Sequence, residues 1–284
     1  MSKPPVGGIR GKLLKRLPQT NPDLSPNREV ARSITAILEQ VKQREATFKA
    51  GTPVGQDTPP TPIHRTSILQ AMVNRVKSSW DQDKTLERRK YLIKKIHRSH
   101  FQDMVDLKKR GEKYFKAADQ LIPAEQALFM PNLLATNLRG RKVDTMDLLQ
   151  RKVSMMSFEF VKLGGEHVDA FRRPFIDHFG LDHPLVQHVR LNVIENFAKA
   201  ITLRPFVPLM ANQIPPAAQA THLFYFRPID RIRDQLFMQN LAMGWVFLVD
   251  PQLRIRWYAN GAPTPEEIER LITFSSTLAN ESRS

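Results

Sequence analysis

Histidines and aspartates cluster between residues 167 and 188, where they form the densest group of potential metal ligands in the sequence. The group comprises His167, Asp169, Asp177, His178, Asp182, His183 and His188. Imidazole nitrogens and carboxylate oxygens bind zinc and iron, but a helical site needs two histidines one turn apart. No pair of these histidines has that spacing, and Pro184 interrupts the pattern. We therefore expect ordinary surface or loop histidines and no metal site.

Nucleophilic and phosphate-handling chemistry also lacks the residues that it needs. The chain contains no cysteine, so thiolate nucleophiles, disulfides, sulfur-ligated zinc and iron–sulfur clusters are excluded. "GGIRG" at 7–11 follows no predicted strand, "LRGRK" at 138–142 has a single glycine, and no nucleophile elbow or supported Ser/His/Asp set occurs. The sequence therefore favours a protein that acts by binding, with no cofactor, over an enzyme.

The positive charge of the chain is concentrated in its N-terminal part. The net charge is +15, and residues 1–119 hold 25 of the 43 Lys and Arg but only 12 of the 28 Asp and Glu. The densest cationic run comprises Arg88, Arg89, Lys90, Lys94, Lys95, Arg98, Lys108, Lys109 and Arg110. Such a run attracts RNA, and the aromatic residues available to stack on bases are Tyr91, Phe101, Tyr114 and Phe115. It attracts an anionic lipid surface by the same electrostatics. Charge alone does not choose between these partners.

The N-terminal part is predicted to consist of a basic tail, two helical stretches and a connector. Residues 1–25 are typical of a basic tail or a transit-peptide remnant, since their first 22 residues carry no acidic side chain. An N-cap serine and an N1 proline start a helix over 26–50, and 51–62 is a proline-rich connector. A second helical stretch over 67–119 completes a basic helical arm at 26–119. No apolar run approaches the roughly 18 residues that span a bilayer, so any membrane contact is expected to be peripheral.

From residue 120 the pattern changes to alternating strands and helices. Strands are predicted at 152–161, 187–194, 221–226, 245–249 and 254–259, and helices from a Gly164-Gly165 turn to 179, at 195–209, at 230–240 and after Thr264. This order is thioredoxin-like, so we predict an α/β domain at 120–284 with a mixed sheet and helices on both faces. Thioredoxin-like redox enzymes place cysteine after the first core strand. Here that position reads "FVKLGGEHVDAF", and the domain is expected to be redox-inactive.

The last fifty residues carry a more specific pattern. The stretch "QNLAMGWVFLVDPQLRIRWYANGAPTPEEIERLI" at 239–272 resembles the C-terminal signature of the mitochondrial F-type ATP synthase assembly factor family. The positions that carry the resemblance are Asn240, Gly244, Trp245, Asp250, Ile255, Arg256, Trp257, Gly261 and Glu267. The similarity extends weakly upstream to about residue 130 and leaves the N-terminal arm uncovered.

The resemblance implies a function and a location. Members of this family are inner-membrane chaperones that act on newly made subunit 6 of the ATP synthase membrane sector. The resemblance therefore implies that this protein is a non-catalytic assembly factor on the matrix side of the mitochondrial inner membrane. Its basic arm would contact that anionic membrane peripherally. The alternative is a structural or RNA-contacting component of a mitochondrial ribonucleoprotein or another large mitochondrial complex.

Three residues of this C-terminal stretch, of which Arg256 and Trp257 are signature positions, are predicted to contact a partner. Arg254 and Arg256 are two apart on a predicted strand and point to one face, while Trp257 points to the other. The two arginines would form a cationic client-binding patch or pair with internal carboxylates. Core packing is the first expectation for the signature tryptophans, with partner contact second. Asp250 is expected to close the hairpin turn and Gly261 to supply a permissive backbone.

Overall fold

A computed structural model of the chain describes residues 48–63 and 113–282, together with two helical positions, Glu39 and Gln43. The predicted basic tail, most of the first helix and the cationic run at 88–110 lie outside the described residues. Chain contacts divide the protein into a unit of residues 1–47 and a unit of residues 48–284, and the second unit holds every element given below.

A seven-stranded mixed sheet organises this second unit. Its strands are β1 (Leu134–Asn137), β2 (Lys142–Asp144), β3 (Val153–Glu159), β4 (Val186–Val193), β5 (His222–Tyr225), β6 (Trp245–Val249) and β7 (Ile255–Asn260). Their spatial order is β2-β1-β5-β4-β3-β6-β7. Strands β3, β4 and β5 run parallel to one another, and all other neighbours are antiparallel.

Seven α-helices connect or flank these strands in the described part of the chain. They are α1 (Thr145–Leu149), α2 (Lys162–Phe179), α3 (Phe197–Leu203), α4 (Val207–Met210), α5 (Pro216–Gln219), α6 (Asp230–Gln235) and α7 (Pro265–Glu281). Short 3-10 turns at Arg204–Phe206 and Ala211–Gln213 flank α4. Among the described helices, none is both long and apolar enough to cross a bilayer.

The core lies on both faces of the sheet. On one face, Phe171 and Phe175 of α2 and Leu271 of α7 pack with alternate residues of β3, such as Met155. On the other face a larger cluster includes the intervening β3 residues Met156 and Phe158 together with Leu191 and Phe247. Because both faces are covered, every residue of β3 is buried. The order β4-β3-β6-β7 with α2 and α7 packed against it is the expected thioredoxin-like arrangement, and this prediction is confirmed.

Local sequence patterns correctly predicted the turn between β6 and β7 and the start of α7. The Asp250 carboxylate closes the hairpin by accepting the backbone N–H groups of Gln252 and Arg254 at 3.0 and 2.8 Å. Gly261 has a φ of 64°, which favours glycine. Thr264 caps α7, and the predicted capping box with Glu267 is present.

Within the described residues, several predicted helices have the wrong boundaries or are interrupted. Residues 113–119 were placed at the end of a helix but are extended or bent. Gly164 and Gly165 lie inside the first turn of α2 instead of preceding it. Helix α6 begins at Asp230 as predicted, but it ends at Gln235 instead of residue 240. The helix expected at 195–209 is broken, since Pro205 and Pro208 supply no N–H groups to a continuous helix.

Residues 113–130, termed here the edge segment, cover the outer edge of β7. Backbone hydrogen bonds of 2.8 Å join the edge segment to the strand and to the turn before it: Ile122 N to Arg256 O, Ile255 N to Leu128 O, and Met130 N to Leu253 O. An exposed edge strand presents unpaired N–H and C=O groups, and the edge segment occupies them. The proline-rich connector lies beside it, where Gln56 pairs with Phe129 and Val54 is buried. Both segments therefore belong to the same folded unit as the sheet.

Candidate functional site

A partly buried network of charges joins the end of β3 to the middle of α2. We name it the Arg190 cluster, and it comprises Glu159, Asp169, Arg172 and Arg190. The Arg190 guanidinium donates to Glu159 Oε2 from Nη2 at 2.5 Å and to Asp169 Oδ1 from Nη1 at 2.8 Å. Asp169 Oδ1 also accepts from Nε of Arg172 at 3.0 Å. One arginine therefore joins the end of a central strand to the helix that follows it.

Strand register and one glycine position this cluster. In the parallel pairing of β3 with β4, Ser157 lies opposite Arg190 and Glu159 opposite Asn192, so the two charged residues are near neighbours. Helix α2 crosses directly over them. A Cβ atom at Gly165 would lie 3.1 Å from Glu159 Oε2 and 3.3 Å from Arg190 Nη2. Glycine at this position therefore lets the helix approach the ion pair.

The charges of the Arg190 cluster are balanced internally. Burial raises the pKa of Glu159 despite the opposing effect of the bound arginine. Partial burial acts to raise the pKa of Asp169, but the hydrogen bond from Arg172 and the charge of Arg190 outweigh it, so this pKa is lowered. Burial also acts against the charged form of Arg190, yet its two carboxylate partners raise its pKa. The two carboxylates lie on either side of the "FVKLGG" junction at 160–165, which carries no cysteine.

Two of the four candidate histidine ligands, His183 and His188, use a ring nitrogen in a hydrogen bond within the protein. His188 Nε2 is 3.0 Å from the hydroxyl of Ser157. His183 Nδ1 instead accepts the N–H groups of Leu185 and Val186. Within the described ranges, no three His, Asp or Glu side chains are arranged to hold a metal ion. His178 and His183 instead contact the ring of Phe179, with centroid distances of 4.6 and 5.6 Å.

His188 and His222 share a sheet face with the Arg190 cluster. Burial is the main cause that lowers the pKa of His188 well below its usual value, and the charge of Arg190 adds to it. Burial likewise lowers the pKa of His222 to about 4. His222 Nε2 lies 3.1 Å from the side-chain amide of Asn192. Both imidazoles are consequently neutral at physiological pH.

The signature residues hold the edge segment in place. Trp257 Nε1 donates to the carbonyl of Ala118 at 2.8 Å, and Arg256 Nε donates to that of Ile122 at 2.7 Å. The buried Glu267 carboxylate accepts from Lys113 Nζ at 2.5 Å and from Ala117 N at 2.8 Å. The same carboxylate completes the capping box of α7.

Asn260 is a structural residue of this contact that sequence reasoning missed. Its fully buried side chain accepts from Tyr114 N at 2.7 Å and donates to Phe115 O at 3.1 Å. The rings of Tyr114 and Phe115 then pack near Trp245. A buried asparagine at the end of an apolar strand was the available signal, because such a side chain needs hydrogen-bond partners.

The other signature residues shape the backbone before β6. The side-chain oxygen of Asn240 accepts from Ala242 N at 2.8 Å, and its carbonyl accepts from Trp245 Nε1 at 2.9 Å. Gly244 passes so close to α2 that a Cβ there would lie 2.4 Å from the carbonyl oxygen of Gly164. Ile255 is fully buried in the core.

The three expected partner-binding residues occupy different environments. Arg256 is 7% exposed and its Nη1 lies 3.4 Å from both Asp250 and Glu281, which is the internal carboxylate pairing expected as one of two possibilities. Trp257 is 1% exposed. Neither side chain offers a contact surface, because folding has already buried it. Arg254 is half-buried, with its guanidinium 5.9 Å from the Phe129 ring centre.

These features define a thioredoxin-like α/β protein without cysteine, in which an ion-pair cluster joins the end of β3 to α2. The chain belongs to the ATP10 protein family, whose model matches residues 35–278. This membership confirms the resemblance carried by the C-terminal signature. The expected assembly-factor function agrees with it, and none of the comparisons supports the RNA-contacting alternative.

Curated relatives include two fungal proteins. The chain is 29% identical to the mitochondrial ATPase complex subunit ATP10 of Saccharomyces cerevisiae, over 77% of this chain and 84% of that protein. It is 25% identical to the probable mitochondrial ATPase complex subunit atp10 of Schizosaccharomyces pombe, over 69% of this chain and 71% of that protein. Solved structures that it resembles include BsSco, of the Sco family of cytochrome c oxidase assembly proteins, with 13% identity and a TM-score of 0.41 over 58% of this chain and 98% of that one.

Proposed function

We propose that this protein is an assembly factor of the mitochondrial ATP synthase, which binds newly made subunit 6 on the matrix side of the inner membrane. The observation that carries the proposal is the family match over residues 35–278. Relatives in that family are named as subunits of a mitochondrial ATPase complex. The client, subunit 6, and the matrix side come from the signature resemblance.

The proposed mode of action is binding without group transfer. The sequence holds no cysteine, and Arg190 occupies the space beside the first turn of α2 with two carboxylate contacts. The signature residues give the domain a fixed shape by attaching the edge segment to β7. The cationic run at 88–110 follows the connector and precedes the edge segment in sequence, so we place the contact with anionic lipid or client there. Of the three expected partner-binding residues, Arg254 is the one whose side chain is still partly exposed to a partner.

Affinity purification of the tagged full-length protein from nuclease-treated mitochondria tests this proposal. We expect mass spectrometry to show enrichment of ATP synthase membrane-sector subunits, with subunit 6 among them. Recovery of ribosomal proteins instead would contradict the assembly-factor function and revive the RNA-contacting alternative.

A matched pair of variants tests Arg254 in the same experiment. Arg254→Ala is expected to reduce subunit 6 recovery severalfold, whereas Arg173→Ala, which removes an exposed arginine from α2, should leave recovery unchanged. Equal recovery with both variants would remove Arg254 from the contact surface.

A further inference from the structure

Large apolar side chains are exposed in one short stretch between β4 and β5. Seven large hydrophobic residues of the described chain are exposed, and five of them lie within ten residues of each other. These five are Ile201 at 58%, Leu203 at 44%, Phe206 at 56%, Leu209 at 61% and Met210 at 38% exposure. We name residues 197–210 the apolar insertion. Exposed apolar side chains gathered in this way mark an interaction surface more often than single ones do.

The apolar insertion projects from the domain because few of its residues are anchored. It consists of α3, a 3-10 turn and α4, and every residue from 201 to 210 except Val207 is exposed. Val207 packs in a small separate cluster with Leu138 and Phe224. Ala200 is the other buried residue among those of the insertion whose burial is described. Two small contacts thus attach this stretch to the domain and leave its larger apolar side chains exposed.

The charged residues in the stretch of sequence that contains the apolar insertion, residues 196–229, are all Lys or Arg. No acidic residue occurs between Glu195 and Asp230 in the sequence, while Lys199 and Arg204 are exposed within the insertion itself. The Arg204 guanidinium lies 4.9 Å from the Phe226 ring centre, so its charge is held at the base of the insertion. Exposed apolar side chains flanked by cations and free of acidic residues match the interface of an anionic bilayer.

We propose that the apolar insertion docks the protein on an anionic lipid bilayer, with Ile201, Phe206 and Leu209 entering the boundary between headgroups and acyl chains. Lys199 and Arg204 then face the lipid phosphates. The insertion lies on the membrane and does not cross it, since its helices are only one or two turns long. The inference deepens the proposed function and rests on it for the location at the inner membrane. It assigns membrane contact to residues other than the basic arm.

Vesicle flotation with the purified full-length protein tests this inference. The probes are vesicles of phosphatidylcholine alone and vesicles that also contain cardiolipin. The test variant is Phe206→Ser with Leu209→Ser, and the matched control is Leu181→Ser, which removes an exposed apolar residue outside the insertion. We expect cardiolipin vesicles to bind the wild-type protein and the control with equal affinity. The affinity of the test variant should be lower by about tenfold or more. Because all three side chains are exposed, thermal unfolding should be unchanged.

Salt separates the insertion from the basic arm. Electrostatic attraction of the arm weakens at high ionic strength, whereas burial of apolar side chains persists. The difference between wild type and test variant should therefore be retained in high salt. Equal vesicle binding by the two proteins at both salt concentrations would overturn the inference, and so would a loss of client recovery in the test variant without a loss of vesicle binding.

Fluorophore attachment gives a second measurement that does not depend on affinity. The chain has no cysteine, so Leu209→Cys and Leu181→Cys each provide a single labelling site. A polarity-sensitive dye at residue 209 should shift its emission to the blue when cardiolipin vesicles are added, and the dye at residue 181 should not. An unchanged emission at residue 209 would contradict insertion. If vesicle binding fails while subunit 6 is still recovered, only this inference falls; if subunit 6 is lost while vesicle binding persists, only the proposed function falls.

Discussion

Glycines in this domain mark places where the backbone meets a fixed neighbour. Gly165 leaves room for the ion pair of Glu159 and Arg190, whose atoms would lie within 3.3 Å of an added Cβ. Gly164 and Gly244 face each other across the contact between α2 and the chain before β6. The neighbouring atoms cannot easily move away from an added Cβ, because at Gly165 they belong to an ion pair and at Gly164 and Gly244 they belong to the backbone. The glycine requirement therefore comes from packing, not from the backbone angles of these residues.

Gly244→Ala tests the closest of these contacts. The new Cβ would lie 2.4 Å from the carbonyl oxygen of Gly164, so the helix or the strand must shift. We expect the free energy of unfolding to fall by about 1–3 kcal/mol, because overpacking outweighs the ~0.4–1 kcal/mol gained from restricting the unfolded chain. Urea unfolding followed by circular dichroism measures the change.

Gly164→Ala is the matched control for this prediction. Its Cβ would approach the Met243 carbonyl oxygen at 3.0 Å, and alanine in a helix offsets about 1 kcal/mol of the cost. We expect a smaller loss of stability than in Gly244→Ala. The packing argument fails if Gly244→Ala is as stable as the wild-type protein.

At the scale of elements, the C-terminal signature works as a docking site for the edge segment. Trp257, Asn260 and Glu267 each use their polar atoms on residues 113–118. Their sequence pattern therefore records an intramolecular contact, although it was recognised as a family feature. The segment that they hold directly follows the part of the chain with the densest positive charge.

Glu267→Ala should release the beginning of the edge segment. The substitution removes the acceptor for Lys113 Nζ and for the backbone N–H of Ala117. Hydrogen bonds to charged groups contribute about 1.5–3 kcal/mol each, so the local opening free energy is expected to fall by about 2 kcal/mol. This corresponds to roughly 30-fold faster hydrogen exchange at the amide of Ala117.

Two comparisons make this exchange measurement specific. Glu266→Ala changes an exposed neighbour in the same helical turn and should leave the edge-segment amides protected. Glu267→Gln keeps an oxygen acceptor but loses the charge facing Lys113, and should give an intermediate effect. Unchanged protection in Glu267→Ala would show that apolar packing alone holds the segment.

Sequence predicted the elements whose signals are local and missed those whose partners are distant. The Asp250 turn and the Thr264 capping box act within four residues, and both were identified. Strands β1 and β2 pair with each other but are only four and three residues long, too short for an alternating pattern to mark them. The pairing of Glu159 with Arg190 depends on the register of β3 with β4, which no local pattern gives.

At the scale of the whole molecule, the free energy of unfolding depends on pH because two buried histidines, His188 and His222, stay neutral in the folded protein. The pKa of His222 falls from 6.5 to about 4 in the folded protein, and that of His188 is lowered well below 6.5. As pH falls below 6.5, the unfolded chain therefore binds protons that the folded protein does not. Each histidine contributes a loss of at most ~1.4 kcal/mol per pH unit. Glu159 and Asp250 act in the opposite direction at the lower end of this range, because burial raises their pKa values.

We expect the free energy of unfolding to be greatest above pH 6.5 and to decrease as the pH falls toward about 4. Urea unfolding at a series of pH values measures this dependence. His222→Gln should flatten the curve, whereas His178→Gln, at an exposed position on α2, should leave its slope unchanged. A stability that is independent of pH over this range would contradict the assignment of buried neutral histidines.

The edge segment also imposes an order on folding. Its hydrogen bonds to β7 and α7 join residues 127 to 154 positions apart, and Tyr258 donates to the Thr52 carbonyl across 206 positions. These early parts of the chain have no final place until the last hairpin exists. During synthesis or membrane translocation they must wait for the C-terminal residues to emerge. Completion of the C-terminal hairpin is therefore the step that brings the connector, the edge segment and the C-terminal helix into one structure.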